Sequence, residues 1–66
     1  MEITYRYYLK TNVYEMWFKS DINKEKVVTS DSFHDALGKL MYQNIKPTDK
    51  WNRTKEFNEL TIEIEG

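Results

Sequence analysis

The fold is decided by the stretch Ile3-Thr4-Tyr5-Arg6-Tyr7-Tyr8-Leu9, which alternates with the two-residue period of a β-strand. Its odd-numbered residues are apolar or aromatic and share one face, whereas Thr4, Arg6 and Tyr8 share the other. A second stretch, residues 13–19, is rich in side chains that favour strands. Residues 10–12 between them are typical of a tight turn, so the first nineteen residues predict a β-hairpin.

The register of this hairpin follows from the requirement that directly opposed residues share a face. A shift by one residue would bury Glu15 and Lys19, so the register without this shift is favoured. The expected pairs on the apolar face are Leu9 with Tyr14, Tyr7 with Met16, and Tyr5 with Phe18. The expected pairs on the reverse face are Tyr8 with Glu15, and Arg6 with Trp17.

A helix is predicted after the polar run at residues 30–32, with Asp31 as the preferred N-cap and Asp35 in the first turn. The apolar residues that follow form one stripe at helical spacing: Phe33, Ala36, Leu37, Leu40 and Met41. Asn44 would fall in the middle of this stripe, which predicts that the helix has ended there. Gly38 costs about 1 kcal/mol relative to Ala in a helix, and close packing on the sheet would explain it.

The remaining segments complete the predicted architecture. Residues 59–65 alternate strictly and predict a strand with Leu60, Ile62 and Ile64 facing the core, while residues 26–29 suit a short additional strand. Residues 1–66 therefore predict a single small α+β domain. It has an antiparallel sheet of three strands, or four if 26–29 pairs, and one helix packed on one face, in the order β-β-(β)-α-β.

Composition excludes several classes of function. The chain of 66 residues has no Cys and one His, so neither a disulfide framework nor a zinc site of the usual kind is expected. With Gly only at positions 38 and 66, no phosphate-binding glycine loop exists, and no nucleophile motif appears. We therefore expect no enzyme activity, no cofactor and no metal. No apolar run reaches the ~20 residues of a membrane span and no signal-peptide pattern is visible, which predicts a cytoplasmic protein.

The reverse sheet face is the predicted partner-binding surface. A single helix covers one face of a sheet, so the other must meet solvent, a second copy of the chain or another protein. Trp, Tyr and Arg dominate binding hot spots. The candidate residues are Arg6, Tyr8, Glu15, Trp17 and Lys19. The alternative interpretation is that Trp17 lies along its neighbours, with Arg6 stacked on its ring.

A second hypothesis is nucleic-acid binding by the connection at residues 46–57, where basic and aromatic residues are interleaved. The candidate residues are Lys46, Lys50, Trp51, Arg53 and Lys55. The net charge of −1 makes this hypothesis the weaker one. In the alternative interpretation, Trp51 and Phe57 fix the connection to the core. Glu59, Glu63 and Glu65 form an acidic ridge. Such a ridge is typical of a solvated face or of a guard against edge aggregation, and in the protein-binding hypothesis it is a contact for a basic partner.

These observations together favour a non-enzymatic protein-binding module that occludes or regulates a host protein and self-associates. Lys outnumbers Arg by 8 to 2, and Asn, Ile and Tyr are frequent. Because Lys, Asn, Ile and Tyr use AT-rich codons, the composition indicates an AT-rich bacterium, its phage or another mobile element as the source.

Overall fold

The computed structural model describes residues 1–42 and 55–65. It contains strands β1 (Glu2–Tyr8), β2 (Val13–Phe18) and β3 (Val28–Ser30), helix α1 (Phe33–Met41) and strand β4 (Phe57–Glu63). The four strands form one antiparallel sheet in the spatial order β3-β2-β1-β4. The predicted α+β class and the element order are confirmed, and the sheet has four strands.

The predicted hairpin register is wrong by two residues. The observed pairs include Tyr5 with Met16 and Tyr8 with Val13, because the connection is residues 9–12, one position earlier than the residues 10–13 that a pair of Leu9 and Tyr14 would enclose. Asn12 closes it in the left-handed region, with φ 57°, and its backbone N–H donates to the Tyr8 carbonyl at 2.9 Å. Asparagine tolerates this conformation better than most residues. Since a shift of two preserves the faces, the predicted division of residues between the two sides of the hairpin is correct.

Strand β3 begins two residues later than predicted. The carboxylate of Asp21 accepts the backbone N–H groups of Glu25 (3.1 Å) and Lys26 (2.8 Å). These bonds hold Lys26 in the connecting loop, so that the strand covers Val28–Ser30 instead of residues 26–29.

Helix α1 is capped by Ser32 and not by Asp31. The Ser32 hydroxyl accepts the backbone N–H of Asp35 at 3.4 Å, which is the usual N-cap to N3 contact. The helix ends at Met41, with Tyr42 as its C-cap, so it has ended before Asn44 as predicted. Asn44 lies outside the described residues.

The core lies between α1 and the sheet. Ile3, Met16, Val28, Ala36 and Leu40 are its buried members, and the rest of the predicted helical stripe packs around them. The backbone of α1 lies over β2 and β3 and not over β1 or β4. The helix reaches β1 through its first residue, since the Phe33 ring lies 5.2 Å from that of Tyr5.

Three residues differ from their predicted environment. Leu9, expected on the apolar face, is 49% exposed because β1 ends at Tyr8 and Leu9 lies in the turn that follows. Leu60, expected in the core, is 54% exposed because β4 lies at the sheet edge farthest from the helix. Gly38 does not pack closely on the sheet, since a Cβ placed there would meet no described atom within 4 Å. The close packing invoked for Gly38 is therefore wrong.

Candidate protein-binding surface

The five residues predicted to bind a partner share the reverse face of the sheet. The rings of Tyr8 and Trp17, which were expected to be exposed on this face, are buried. Tyr8 is 1% exposed, Trp17 6% and Glu15 5%. Lys19 is exposed and pairs with Glu2 at 3.3 Å. The expectation that both rings would lie open to solvent is therefore wrong, and binding of a partner by these five residues stays a prediction.

Arg6 occupies the centre of the reverse face and contacts both neighbouring strands. Its Nε donates to Glu59 Oε1 at 2.7 Å, and its guanidinium carbon lies 4.5 Å from the ring centre of Phe57 and 5.5 Å from that of Trp17. The bond to Glu59 raises the pKa of Arg6 although burial opposes it. This arrangement matches the alternative interpretation, in which Arg6 lies against the Trp17 ring. Arg6 joins β2 to β4 across β1.

The other residues of this face are held by short-range contacts. The Tyr8 hydroxyl donates to Glu15 Oε1 at 3.1 Å, and burial is the main cause of the raised pKa of Tyr8. Lys24, from the loop before β3, places its ammonium 4.5 Å from the ring centre of Trp17. Such cation–π contacts contribute about 0.5–2 kcal/mol. The Trp17 indole is thus part of the structural interior.

The nucleic-acid hypothesis cannot be placed on the described structure. Lys46, Lys50, Trp51 and Arg53 all lie outside the described residues. Lys55 is described and exposed. Phe57, expected in the same connection, is the first residue of β4, and its ring lies 5.3 Å from that of Tyr8. Binding of nucleic acid by this segment stays a prediction.

Sequence reasoning named the acidic ridge of β4 but missed the backbone groups along the outer edge of this strand. The Leu9 N–H donates to the Glu56 carbonyl at 3.2 Å, and the Ile64 N–H donates to the Met1 carbonyl at 2.7 Å. In an antiparallel ladder, hydrogen-bonded and non-hydrogen-bonded pairs alternate. The even-numbered residues of β4 therefore direct their backbone groups at β1. The odd-numbered residues direct theirs away from the sheet, at what we call the open edge: Phe57, Glu59, Thr61 and Glu63.

Side-chain contacts agree with this alternation. Non-hydrogen-bonded pairs bring their side chains closest together. The pairs assigned to this class make such contacts: Arg6 with Glu59, Tyr8 with Phe57, and Thr4 with Thr61, whose hydroxyls lie 2.9 Å apart. No strand within residues 1–42 and 55–65 pairs with the open edge. Seven residues at about 3.4 Å each give it a length of roughly 24 Å.

An apolar strip borders the open edge on the helix side of the sheet. Leu60 is the exposed member, and Tyr5, its partner on β1, is half-buried. Ile62 is also half-buried, since it packs partly against the core. The strip exists because α1 lies over the opposite half of the sheet. A strand added to the open edge would therefore find apolar contacts on one side.

The opposite edge of the sheet is better protected. Strand β3 has three residues, and the Thr29 carbonyl in its middle accepts the Lys39 ammonium at 3.2 Å. The same Lys39 pairs with Asp35 at 3.2 Å, which fixes it over this edge. Short strands and edge lysines are established means of preventing strand addition. The two edges therefore differ: one is short and covered, and the other is long and open.

Among residues 1–42 and 55–65 there is no group of three or more metal-binding side chains. The same residues include no helix with the length and apolar character required to span a bilayer. No protein-family model matches the chain, and neither a curated protein nor a solved structure is found to be similar to it.

Proposed function

We propose that this protein is a non-enzymatic protein-binding module that receives a strand of its partner along the open edge of β4. The observation that carries the proposal is the row of outward backbone groups on a seven-residue edge strand to which no described strand is paired. Addition of a partner strand to such an edge is a common mode of recognition, in which backbone hydrogen bonds supply affinity and alternate side chains supply specificity.

The exposed apolar strip supports the same proposal. An edge strand with an exposed leucine is a liability in a protein that has no use for it, because it invites aggregation. The acidic side chains of Glu59 and Glu63 limit that risk without covering the backbone. The edge is thus screened by charge and remains open to a partner that carries suitable charges.

Self-association, which the composition also favours, is the less supported arrangement at this edge. Antiparallel pairing of two copies about Thr61 would place Glu59 of one chain opposite Glu63 of the other. Like charges directly opposite each other destabilise a strand pair. We therefore propose a different protein as the occupant, with the homodimer as the alternative that light scattering distinguishes.

The regulatory role follows from the mode of binding. A strand held along the open edge is withdrawn from whatever else it would pair with, so occupancy inhibits or modulates the partner by occlusion. The proposed setting is the bacterial cytoplasm, with a host protein as the partner and a phage or mobile element as the source.

The test uses a photo-crosslinking residue introduced at Asn58, which is exposed on β4 beside the open edge. The control position is Ile22, which is 87% exposed in the loop between β2 and β3. We expect one specific adduct in the cell of origin from position 58 and none from position 22. The adduct should disappear when Thr61→Pro is added, because proline removes an outward N–H.

The matched control for Thr61→Pro is Thr61→Val, which also loses the hydroxyl contact with Thr4 but keeps the N–H. Circular dichroism establishes that each variant is folded. If Thr61→Pro does not fold, Leu60→Lys replaces it, since this exposed position tolerates a charge while the apolar contact is lost. A folded Thr61→Pro or Leu60→Lys variant that still forms the adduct in full yield would refute the proposal.

A further inference from the structure

We infer, on the basis of the proposed function, that the segment received by the open edge has basic residues at two positions four apart and apolar residues at the two intervening alternate positions. In order along the segment the pattern is basic, apolar, any polar residue, apolar, basic. The side chains that flank the open edge on its two sides impose this pattern.

The reverse-face side of the edge selects the basic residues. Glu59 and Glu63 lie four residues apart on this side, with Thr61 between them, and both side chains are substantially exposed. In a paired strand, directly opposed residues share a face, so the residues opposite these two carboxylates also lie four apart. Glu65 continues the acidic character beyond the strand.

Existing ion pairs leave room for these contacts. Glu59 uses Oε1 for Arg6, at 2.7 Å, and Glu63 uses Oε1 for the amino group of Met1, at 2.9 Å. A carboxylate has two oxygens and about four acceptor positions, so each can accept a second cation. Segment 55–65 contains Lys55 and four glutamates, and the edge as a whole attracts a basic ligand.

The helix side of the edge selects the apolar residues. The residues of the added strand opposite Leu60 and Ile62 would point to this side, where Leu60 is largely exposed beside the half-buried Tyr5. Apolar side chains there would cover Leu60 and extend the apolar layer on the helix side of the sheet beyond the strands that α1 covers, β2 and β3. A polar residue at either position would leave the apolar strip exposed.

The test uses three synthetic peptides with blocked ends, titrated into the isotopically labelled protein and followed by backbone amide NMR. Their cores are lysine-valine-threonine-valine-lysine and the same sequence with both lysines replaced by glutamine or by glutamate. We expect affinity to fall in that order. Each cross-strand charge pair strengthens binding by roughly 1.4- to 5-fold, so the affinity of the lysine peptide should exceed that of the glutamine peptide by about 2- to 25-fold at low salt. This ratio should shrink as salt is added.

Two variants locate the effect. Glu63→Gln should weaken binding of the lysine peptide by roughly 1.4- to 5-fold and leave binding of the glutamine peptide unchanged. Its control, Glu25→Gln, removes an exposed carboxylate in the loop before β3 and should change neither affinity. Thr61→Pro should abolish binding of both peptides.

The outcomes separate this inference from the proposed function. One outcome is that the lysine and glutamine peptides bind with equal affinity at low salt and that Thr61→Pro abolishes binding of both. It would refute the requirement for basic residues but would still support strand addition at the open edge. Peptide binding that survives in folded Thr61→Pro, or no binding by any of the peptides, would also overturn the inference, while the crosslinking result decides the proposed function independently. If light scattering shows a dimer that the Thr61→Pro substitution dissociates, the occupant of the open edge is a second copy of the chain. That result would refute the inference.

Discussion

Replacement of Trp17 by alanine is expected to remove most of the stability of the fold. A buried indole withdraws about 150–250 Å² from water, which corresponds to about 4–6 kcal/mol at ~25 cal/mol per Å². Measured Trp→Ala changes in protein interiors cost about 3–5 kcal/mol. At about 0.05–0.15 kcal/mol per residue, a domain of 66 residues has a total free energy of unfolding of roughly 3–10 kcal/mol. Trp17→Ala should therefore be largely unfolded or have a greatly lowered urea midpoint.

The assay is urea denaturation followed by far-ultraviolet circular dichroism, because Trp51 complicates a fluorescence signal. Leu60→Ala is the matched control, since it also truncates an apolar strand residue but at a largely exposed position. It should change the free energy of unfolding by less than about 1 kcal/mol. A Trp17→Ala protein that stays within about 1 kcal/mol of the wild type would refute the burial argument and restore the reverse face as an open surface.

Two further predictions concern helix α1. Gly38→Ala should raise the free energy of unfolding by about 0.5–1 kcal/mol in the same urea assay. The reason is that the helical conformation is retained and the added methyl group meets no described atom within 4 Å. A loss of stability would mean that the position is crowded. Hydrogen bonding from Ser30, and secondarily from Lys39, holds the pKa of Asp35 below its ordinary value of 3.8. This contribution is present above pH 3.8 and is lost as pH falls through the lowered pKa, so below pH 3.8 the wild type should lose stability more steeply than Asp35→Asn. Equal slopes for the two proteins in urea midpoints measured against pH would contradict it.

The sequence was sufficient to predict the fold because its local patterns are strong. The alternation of residues 3–9 and 59–65 and the stripe of α1 each specify which side chains face the core, and the expected burial is wrong for Leu9 and Leu60. Boundaries and register were less accurate because they depend on hydrogen bonds that no periodicity encodes. The left-handed conformation of Asn12 and the two bonds accepted by Asp21 are examples.

The candidate surface was harder to predict because it depends on strand order. A period-two pattern does not reveal that β4 pairs with β1 or that α1 lies toward β3, so Leu60 and Trp17 could not be assigned their exposures. Part of the signal was present: glutamates along residues 59–65 are typical of an edge strand that must avoid aggregation. That pattern indicated a protected edge, and the strand order adds that no other strand of the described residues pairs with the backbone of that edge.

The position of β1 between β2 and β4 has a consequence for how the chain folds as it is synthesised. The hairpin of β1 and β2 forms from neighbouring residues, whereas the ladder between β1 and β4 joins residues about as far apart as the chain allows, such as Glu2 and Glu63. Closing so large a loop is slow relative to hairpin formation. A nascent chain therefore presents the outer side of β1 unpaired until β4 leaves the ribosome, and β4 is the strand whose docking completes the cooperative unit.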